Sequence, residues 1–193
     1  GESCLESHDF QYAGSIGPWP ISQPVSETLQ RLGDVLVAEF EMIGLFGVDF
    51  ILRGEEAWTL EVNPRYTASV EIVERFTGTS AIAAHVTACG GQLPKTRQAT
   101  QQPAFAACGK AILFAPRHFV LGTQFAEQSL AEATRMPWPG IADVSTAGSV
   151  IEAGRPILTI FADGANSEEV EQKLRAKAAE IYEQLERQPE QTP

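Results

Sequence analysis

The chain has 193 residues, 44% of them hydrophobic, and a formal charge of −11, which is enough apolar material for one sizeable domain or two small ones. The acidity argues against nucleic acid or an anionic membrane surface as partner. No apolar run reaches the roughly 18 residues of a membrane span, the N-terminus has no signal-peptide pattern, and a cytoplasmic location is the default expectation.

Residues 1–24 open without a credible domain start and run into the loop Gly17-Pro18-Trp19-Pro20, as in a chain cut from something longer. Tyr12 and Trp19 are placed to flank a ligand, although packing under that loop is the plainer reading. Ser26 suits the N-cap of a helix whose stripe Leu29, Leu32, Leu36, Phe40 and Ile43 keeps helical spacing until Gly44 stops it. After a strand pair, Val70, Val73 and Phe76 mark a short helix ending at Gly78, and Thr79 or Ser80 caps another with Ile82 and Val86 on one face, closed by Gly90-Gly91.

Residues 92–103 are polar and proline-punctuated, so they read as a linker between two units, 1–91 and 104–193. Beyond it the texture turns to strands: Ala104 to Ala115, Phe119 to Leu121, Val150-Ile151 and Ile157 to Phe161, with a turn at Pro137-Trp138-Pro139-Gly140. Lys110, after Gly109 at a strand start, is placed where it could face an acceptor site, although a surface lysine guarding a sheet edge is the plainer reading. The last element is a helix with capping-box spacing at Asn166 and Glu169, a buried stripe of Val170, Leu174, Ile181 and Leu185, and Lys173 and Lys177 on a solvated face. The tail from Gln188 is expected to fray. Cys4, Cys89 and Cys108 lack CxxC spacing, which speaks against zinc or a disulfide framework. His8, His85 and His118 are scattered and read as structural or surface residues.

The chemistry concentrates on the strand pair. Phe46, Val48, Phe50 and Leu52 alternate with Gly47, Asp49, Ile51 and Arg53, and after Gly54-Glu55-Glu56 the alternation resumes with Trp58, Leu60 and Val62 against Thr59, Glu61 and Asn63. The pattern is a hairpin with one apolar face. Each residue of slip reverses the face of a strand. A three-residue loop at 54–56 pairs Arg53 with Ala57 and sets Asp49 opposite Glu61, whereas a two-residue loop would throw the two carboxylates onto opposite faces. Pro64 biases Asn63 toward extended geometry, in line with Glu61.

Two carboxylates and a carboxamide are hard oxygen ligands suited to magnesium, and Arg65 supplies the fork that grips phosphate or carboxylate. The implied site holds a Mg-nucleotide whose transferring phosphoryl charge is neutralised by metal and arginine. A hairpin with a solvated polar face fits the same pattern, and the alternation alone does not choose. Glu71 and Glu74 stand where a following helix could reach the site, although solvated helix positions suit both.

The stretch GVDFILRGEEAWTLEVNPRYTASVE resembles the C-terminal half of an ATP-grasp domain, in the carboligase-like branch related to biotin carboxylase. That resemblance implies an α+β fold in which an antiparallel sheet with helices is followed by a small α+β or barrel-like domain, the latter echoed by GIADVSTAGSVIEAGRPILTIFADG. It implies Asp49, Glu61 and Asn63 as magnesium ligands, Asn63 and Arg65 as nucleotide contacts, and Arg65 as the catalytic arginine. ATP and Mg2+ would be the cofactors, and a small carboxylate and a nucleophile the substrates. Asp49 stands where many members carry Glu, and Tyr66-Thr67-Ala68-Ser69 replaces the substrate loop of biotin carboxylase.

No GxxxxGK[ST] loop and no GxGxxG after a strand is present, and none of the four lysines, Lys95, Lys110, Lys173 and Lys177, lies in a glycine-rich loop ahead of the hairpin. The lysine-bearing lid that the resemblance implies is therefore expected in an N-terminal half of the same polypeptide. The leading expectation is part of an ATP-dependent carboxylate–amine or carboxylate–thiol ligase, inactive alone, that forms an acyl phosphate. The alternatives are a non-catalytic nucleotide-sensing or scaffold module and a purely structural domain.

Overall fold

The computed structural model describes residues 11–92, 106–136 and 138–187. In chain order the elements are β1 (Gly14–Gly17), α1 (Gln23–Phe40), β2 (Gly47–Arg53), β3 (Glu56–Asn63), α2 (Val70–Thr77), α3 (Ala81–Cys89), β4 (Ala107–Phe114), β5 (Phe119–Val120), α4 (Thr123–Ala133), β6 (Ile141–Ala142), β7 (Val150–Ile151), β8 (Pro156–Gly164) and α5 (Ser167–Glu186). They form two units, Trp19–Ala104 and the combination of Gly1–Pro18 with Phe105–Pro193.

The division departs from the expected 1–91 and 104–193 at the start of the chain. Tyr12-Ala13-Gly14-Ser15 carries no apolar alternation, yet β1 pairs antiparallel with β4, Gly14 opposite Ala111 and Gly17 opposite Cys108. A long-range ladder, which no local pattern announces, thus assigns the N-terminal residues to the second unit. Most of the linker at 92–103 lies outside the described residues.

That second unit is built on a four-stranded antiparallel sheet in the order β1-β4-β8-β6, with β5 and β7 as a separate ribbon. The expected stripe of α5 holds: Val170, Leu174, Ile181 and Leu185 are buried, joined by Ala178. They pack with Leu113, Ile157, Leu158 and Ile160 of the sheet and with Phe125 and Ala126 of α4. Helix and sheet meet closely at Gly109, where a Cβ would lie 2.7 Å from Val170 and 2.9 Å from Ile16. The expected cap forms on one side, Asn166 Oδ1 accepting from Glu169 N at 2.9 Å, while Glu169 Oε2 reaches one residue past the cap and accepts from Ala165 N at 2.8 Å.

Three expectations in this unit need correction. Helix α4 was not expected; its buried Phe125, Ala126 and Ser129 and its alanine- and glutamate-rich composition are the signal that marks it. Lys110 is 8% exposed on β4, an interior strand, so it guards no edge. Lys177 is not merely solvated, because its ammonium donates to Gly140 O at 2.7 Å and ties α5 to the loop before β6. Pro137, in the expected turn, lies outside the described residues, as do Cys4, His8, Lys95 and the tail from Gln188.

In the unit Trp19–Ala104 the helix starts earlier and ends earlier than its stripe suggests. Ser22 rather than Ser26 is the N-cap, with proline in the first turn, and Glu41 in the left-handed region ends α1 before Gly44 is reached. Val25 and Leu36 are buried, but Phe40 and Ile43 are 70% and 67% exposed. Ser80, not Thr79, caps α3, its Oγ accepting from Ala83 N, and Gly78 ends α2 as expected in left-handed geometry. Ile82 and Val86 are exposed, and in α2 Ile72 and Arg75 are buried where Val73 was expected. Tyr12 and Trp19 are exposed rather than packed under a loop. Every residue of the clustered hydrophobic core described for this chain belongs to the other unit.

Candidate metal and phosphate site

The hairpin brings Asp49 opposite Glu61, and it does so by a route the sequence did not show. Arg53 pairs with Glu56, Leu52 with Ala57, Ile51 with Trp58 and Phe50 with Thr59, so the connection is the two-residue turn Gly54-Glu55 and not a three-residue loop. Gly54 at φ +62, with no positive φ at Glu55, fits the primed turn that takes glycine at its first central position. The ladder then skips Leu60, and Asp49 pairs with Glu61. One bulged residue restores the parity that the shorter turn reverses.

The bulge also redistributes the apolar residues. Val48, Phe50 and Leu52 share a half-buried face. Trp58 instead pairs with Ile51, on the face that carries Asp49, and Leu60 sits at the bulge; Ile51, Trp58 and Leu60 are 54%, 59% and 64% exposed. The expected single apolar face is therefore split, and the carboxylates stand beside an exposed apolar pair.

Gly47 pairs with Asn63 on that same face. Asn63 is 5% exposed and donates from Nδ2 to Asp49 Oδ2 at 3.2 Å, while Asp49 and Glu61 remain open to solvent. The donor set is two carboxylates and a carbonyl oxygen, which fits a hard divalent ion that keeps room for water and phosphate oxygens. Among the described residues no three His, Cys, Asp or Glu side chains cluster, so a metal held by three protein ligands here would need the carboxamide as one of them.

Past Asn63 the chain turns sharply, Arg65 N donating to Asn63 O at 2.8 Å. Arg65 is exposed, and its Nη1 donates to Tyr66 O at 3.4 Å, so the guanidinium lies folded over its own loop. Tyr66 donates to Glu74 Oε2 at 2.9 Å, and Glu74 Oε1 accepts from Ala81 N at 2.6 Å. Glu74, expected at a solvated helix position, instead bridges the loop to the start of α3. Burial, then the hydrogen bond and charge of Glu74, then the charge of Glu71, push the Tyr66 phenol up to about 12.

His85, one of the histidines expected to be structural or surface residues, accepts from Leu45 N at Nδ1 over 3.0 Å and so fastens α3 to the loop that leads into β2. Cys89 is exposed, its Sγ 3.6 Å from His85 Nε2, and Cys108 is buried in β4. No helix among the described residues is long and apolar enough to cross a membrane.

Residues 2–69 match the ATP-grasp domain family. Over 54 residues the chain is 39% identical to formate-dependent phosphoribosylglycinamide formyltransferase from Cupriavidus necator, covering 28% of this chain and 14% of that protein. Over 98 residues it is 28% identical to the carbamoyl phosphate synthase large chain of Myxococcus xanthus, covering 51% of this chain and 9% of that one. The crystal structure of an ADP complex of N5-carboxyaminoimidazole ribonucleotide synthetase shares the fold over 95% of this chain and 44% of its own, with a TM-score of 0.59 and 19% identity. The match therefore covers less than half the length of each of these relatives; residues 2–69 are similar to the ATP-grasp domain, and the fold is shared with N5-carboxyaminoimidazole ribonucleotide synthetase.

Proposed function

We propose that this chain is the metal-binding part of an ATP-dependent ligase that activates a carboxylate as its acyl phosphate and passes the acyl group to an amine or thiol. The observation that carries the reading is the pairing of Asp49 with Glu61 across the hairpin, with Asn63 bonded to Asp49 on the same face. Asp49, Glu61 and the Asn63 oxygen would hold Mg2+, which when bound supplies charge neutralisation for a nucleoside triphosphate. Arg65 swings from its resting contact on Tyr66 O to grip the transferring phosphoryl group, where a planar fork of donors stabilises the charge spread over its oxygens. The match of residues 2–69 to the ATP-grasp domain supports ATP as the cosubstrate.

The partner in this reading is the N-terminal half of the same polypeptide, supplying the lysine-bearing lid. Exposed Phe40, Ile43, Ile51, Trp58, Ile82 and Val86 in a unit with little core of its own support further polypeptide packing there.

Glu61→Gln keeps the size of the side chain and removes one ligand charge. In the full-length protein it is expected to weaken Mn2+ binding, read by electron paramagnetic resonance, and to abolish ADP release. Unchanged Mn2+ affinity and turnover would refute the site. Nucleotide binding without ADP release under any carboxylate offered would leave the sensing-module alternative.

A further inference from the structure

We propose that Tyr66 and Glu74 form a positioning clamp that fixes the Asn63-Pro64-Arg65 loop against the start of α3 and so sets where Arg65 meets the nucleotide phosphates. The inference rests on the metal and phosphate reading of Asp49, Glu61, Asn63 and Arg65, and deepens it. Three bonds define the clamp: Arg65 N to Asn63 O at 2.8 Å closes the turn, Tyr66 OH to Glu74 Oε2 at 2.9 Å holds the residue after Arg65, and Ala81 N to Glu74 Oε1 at 2.6 Å anchors the carboxylate.

Each part of the clamp has a local cause. Arg65 is exposed, so packing does not place its guanidinium. Its neighbour Tyr66 is the side chain that ties this stretch to a helix. Glu74 can reach both partners because Gly78, in left-handed geometry, ends α2 and turns the chain so that α3 starts within reach of the carboxylate. Ala81 is the first residue of α3, whose amide has no partner inside the helix. A carboxylate there satisfies that amide and sits at the positive end of the helix. Glu74 therefore accepts from two donors that belong to different segments, and loss of either leaves the loop tied at one end only.

The arrangement offers a substitution that removes one bond and leaves the fold intact. Proline is favoured at the first helical position, where its missing N–H is an orphan in any case, and Ser80 before it is already extended, as a residue preceding proline prefers. Ala81→Pro deletes the anchor without changing Tyr66 or Glu74. Tyr66→Phe deletes the other bond from a partly exposed position. Both variants, with Glu74→Gln and the double variant Tyr66→Phe/Glu74→Gln, are to be measured in the full-length protein. The readouts are Mg-ATP affinity by calorimetry, Mn2+ affinity without nucleotide, and thermal midpoint.

The clamp predicts that Tyr66→Phe and Ala81→Pro each weaken Mg-ATP by about fivefold, the scale of one hydrogen bond. Mn2+ affinity stays within about twofold, because Asp49 and Glu61 are untouched, and the double variant is no worse than Glu74→Gln alone, as residues acting in one chain of bonds are non-additive. Unchanged Mg-ATP affinity in Tyr66→Phe and Ala81→Pro overturns the clamp. So does a parallel fall of Mn2+ affinity and thermal midpoint, which marks a general structural role. Asp49→Asn and Glu61→Gln separate the two levels. If they leave Mn2+ and Mg-ATP binding intact, the reading of the site fails and takes the clamp with it; if they abolish binding while the clamp variants do nothing, the clamp alone fails.

Discussion

Asn63 is the one buried polar residue of the hairpin, and its bond to Asp49 holds a carboxylate that is otherwise free to turn in solvent. Replacing that donor with a second acceptor tests whether a cation belongs between them. In the full-length protein, Asn63→Asp is expected to lower the melting temperature without Mg2+, because two carboxylates then face each other at hydrogen-bond distance. It should also enlarge the rise that Mg2+ produces, as a more highly charged cage binds the ion more tightly to the folded state. A melting temperature insensitive to Mg2+ in both proteins would count against a metal here. Tyr66 makes a second, independent prediction. Its folded pKa is raised to about 12 from the ordinary 10.0, so the folded protein holds this proton more tightly than the unfolded chain does. The stabilisation is present in full below pH 10 and is lost as pH climbs toward 12. Tyr66→Phe should therefore flatten the fall of stability across that window in a pH series of denaturant melts, and an unchanged slope would show that the phenol is not held as described.

At the level of elements, capping and close packing carry distinct consequences. Asn166→Ala removes the N-cap acceptor of α5 and is expected to cost about 1 kcal/mol in chemical denaturation. Glu169 contributes through the same cap. Its hydrogen bond with Lys173, then that from Ala165 N, then the charge of Lys173, hold its carboxyl below the ordinary range. The stability it adds is present above the unfolded value of 4.5 and fades as pH falls through the lower folded value. Gly109→Ala places a methyl against Val170 and Ile16, and overpacking of a filled core predicts a loss of about 1–3 kcal/mol. A neutral Gly109→Ala would mean that helix and sheet separate more easily than their contact suggests. The α5 stripe and cap were legible because both are local patterns in one helix. The α1 stripe was legible only in part, since periodicity says which side chains share a face and not what covers the face. Its last two members, Phe40 and Ile43, stay exposed.

Across the whole chain, apolar burial is concentrated in the unit that combines the N-terminal residues with Phe105–Pro193. The unit Trp19–Ala104, which carries the site, exposes much of its apolar surface. A two-stranded hairpin alone is marginally stable in water. In the chain of residues 1–193, amides of β4 and β8 are therefore expected to exchange with solvent at least about tenfold more slowly than those of β2 and β3, a contrast readable by hydrogen exchange and mass spectrometry. Equal protection would show that the hairpin unit stands by itself. The sequence alone determined the ligand types of the candidate site, the spacing of Asp49 from Glu61, the resemblance to the ATP-grasp domain over residues 2–69 and the N-cap of α5, because each is written in residue identity over short separations. Only the tertiary structure decided the two-residue turn, the bulge at Leu60 that returns the carboxylates to one face, the placement of β1 beside β4 and the bridge from Tyr66 through Glu74 to Ala81. Those depend on hydrogen bonds between segments distant in the chain or on small shifts of register, and a period-two pattern cannot count a residue that drops out of the ladder.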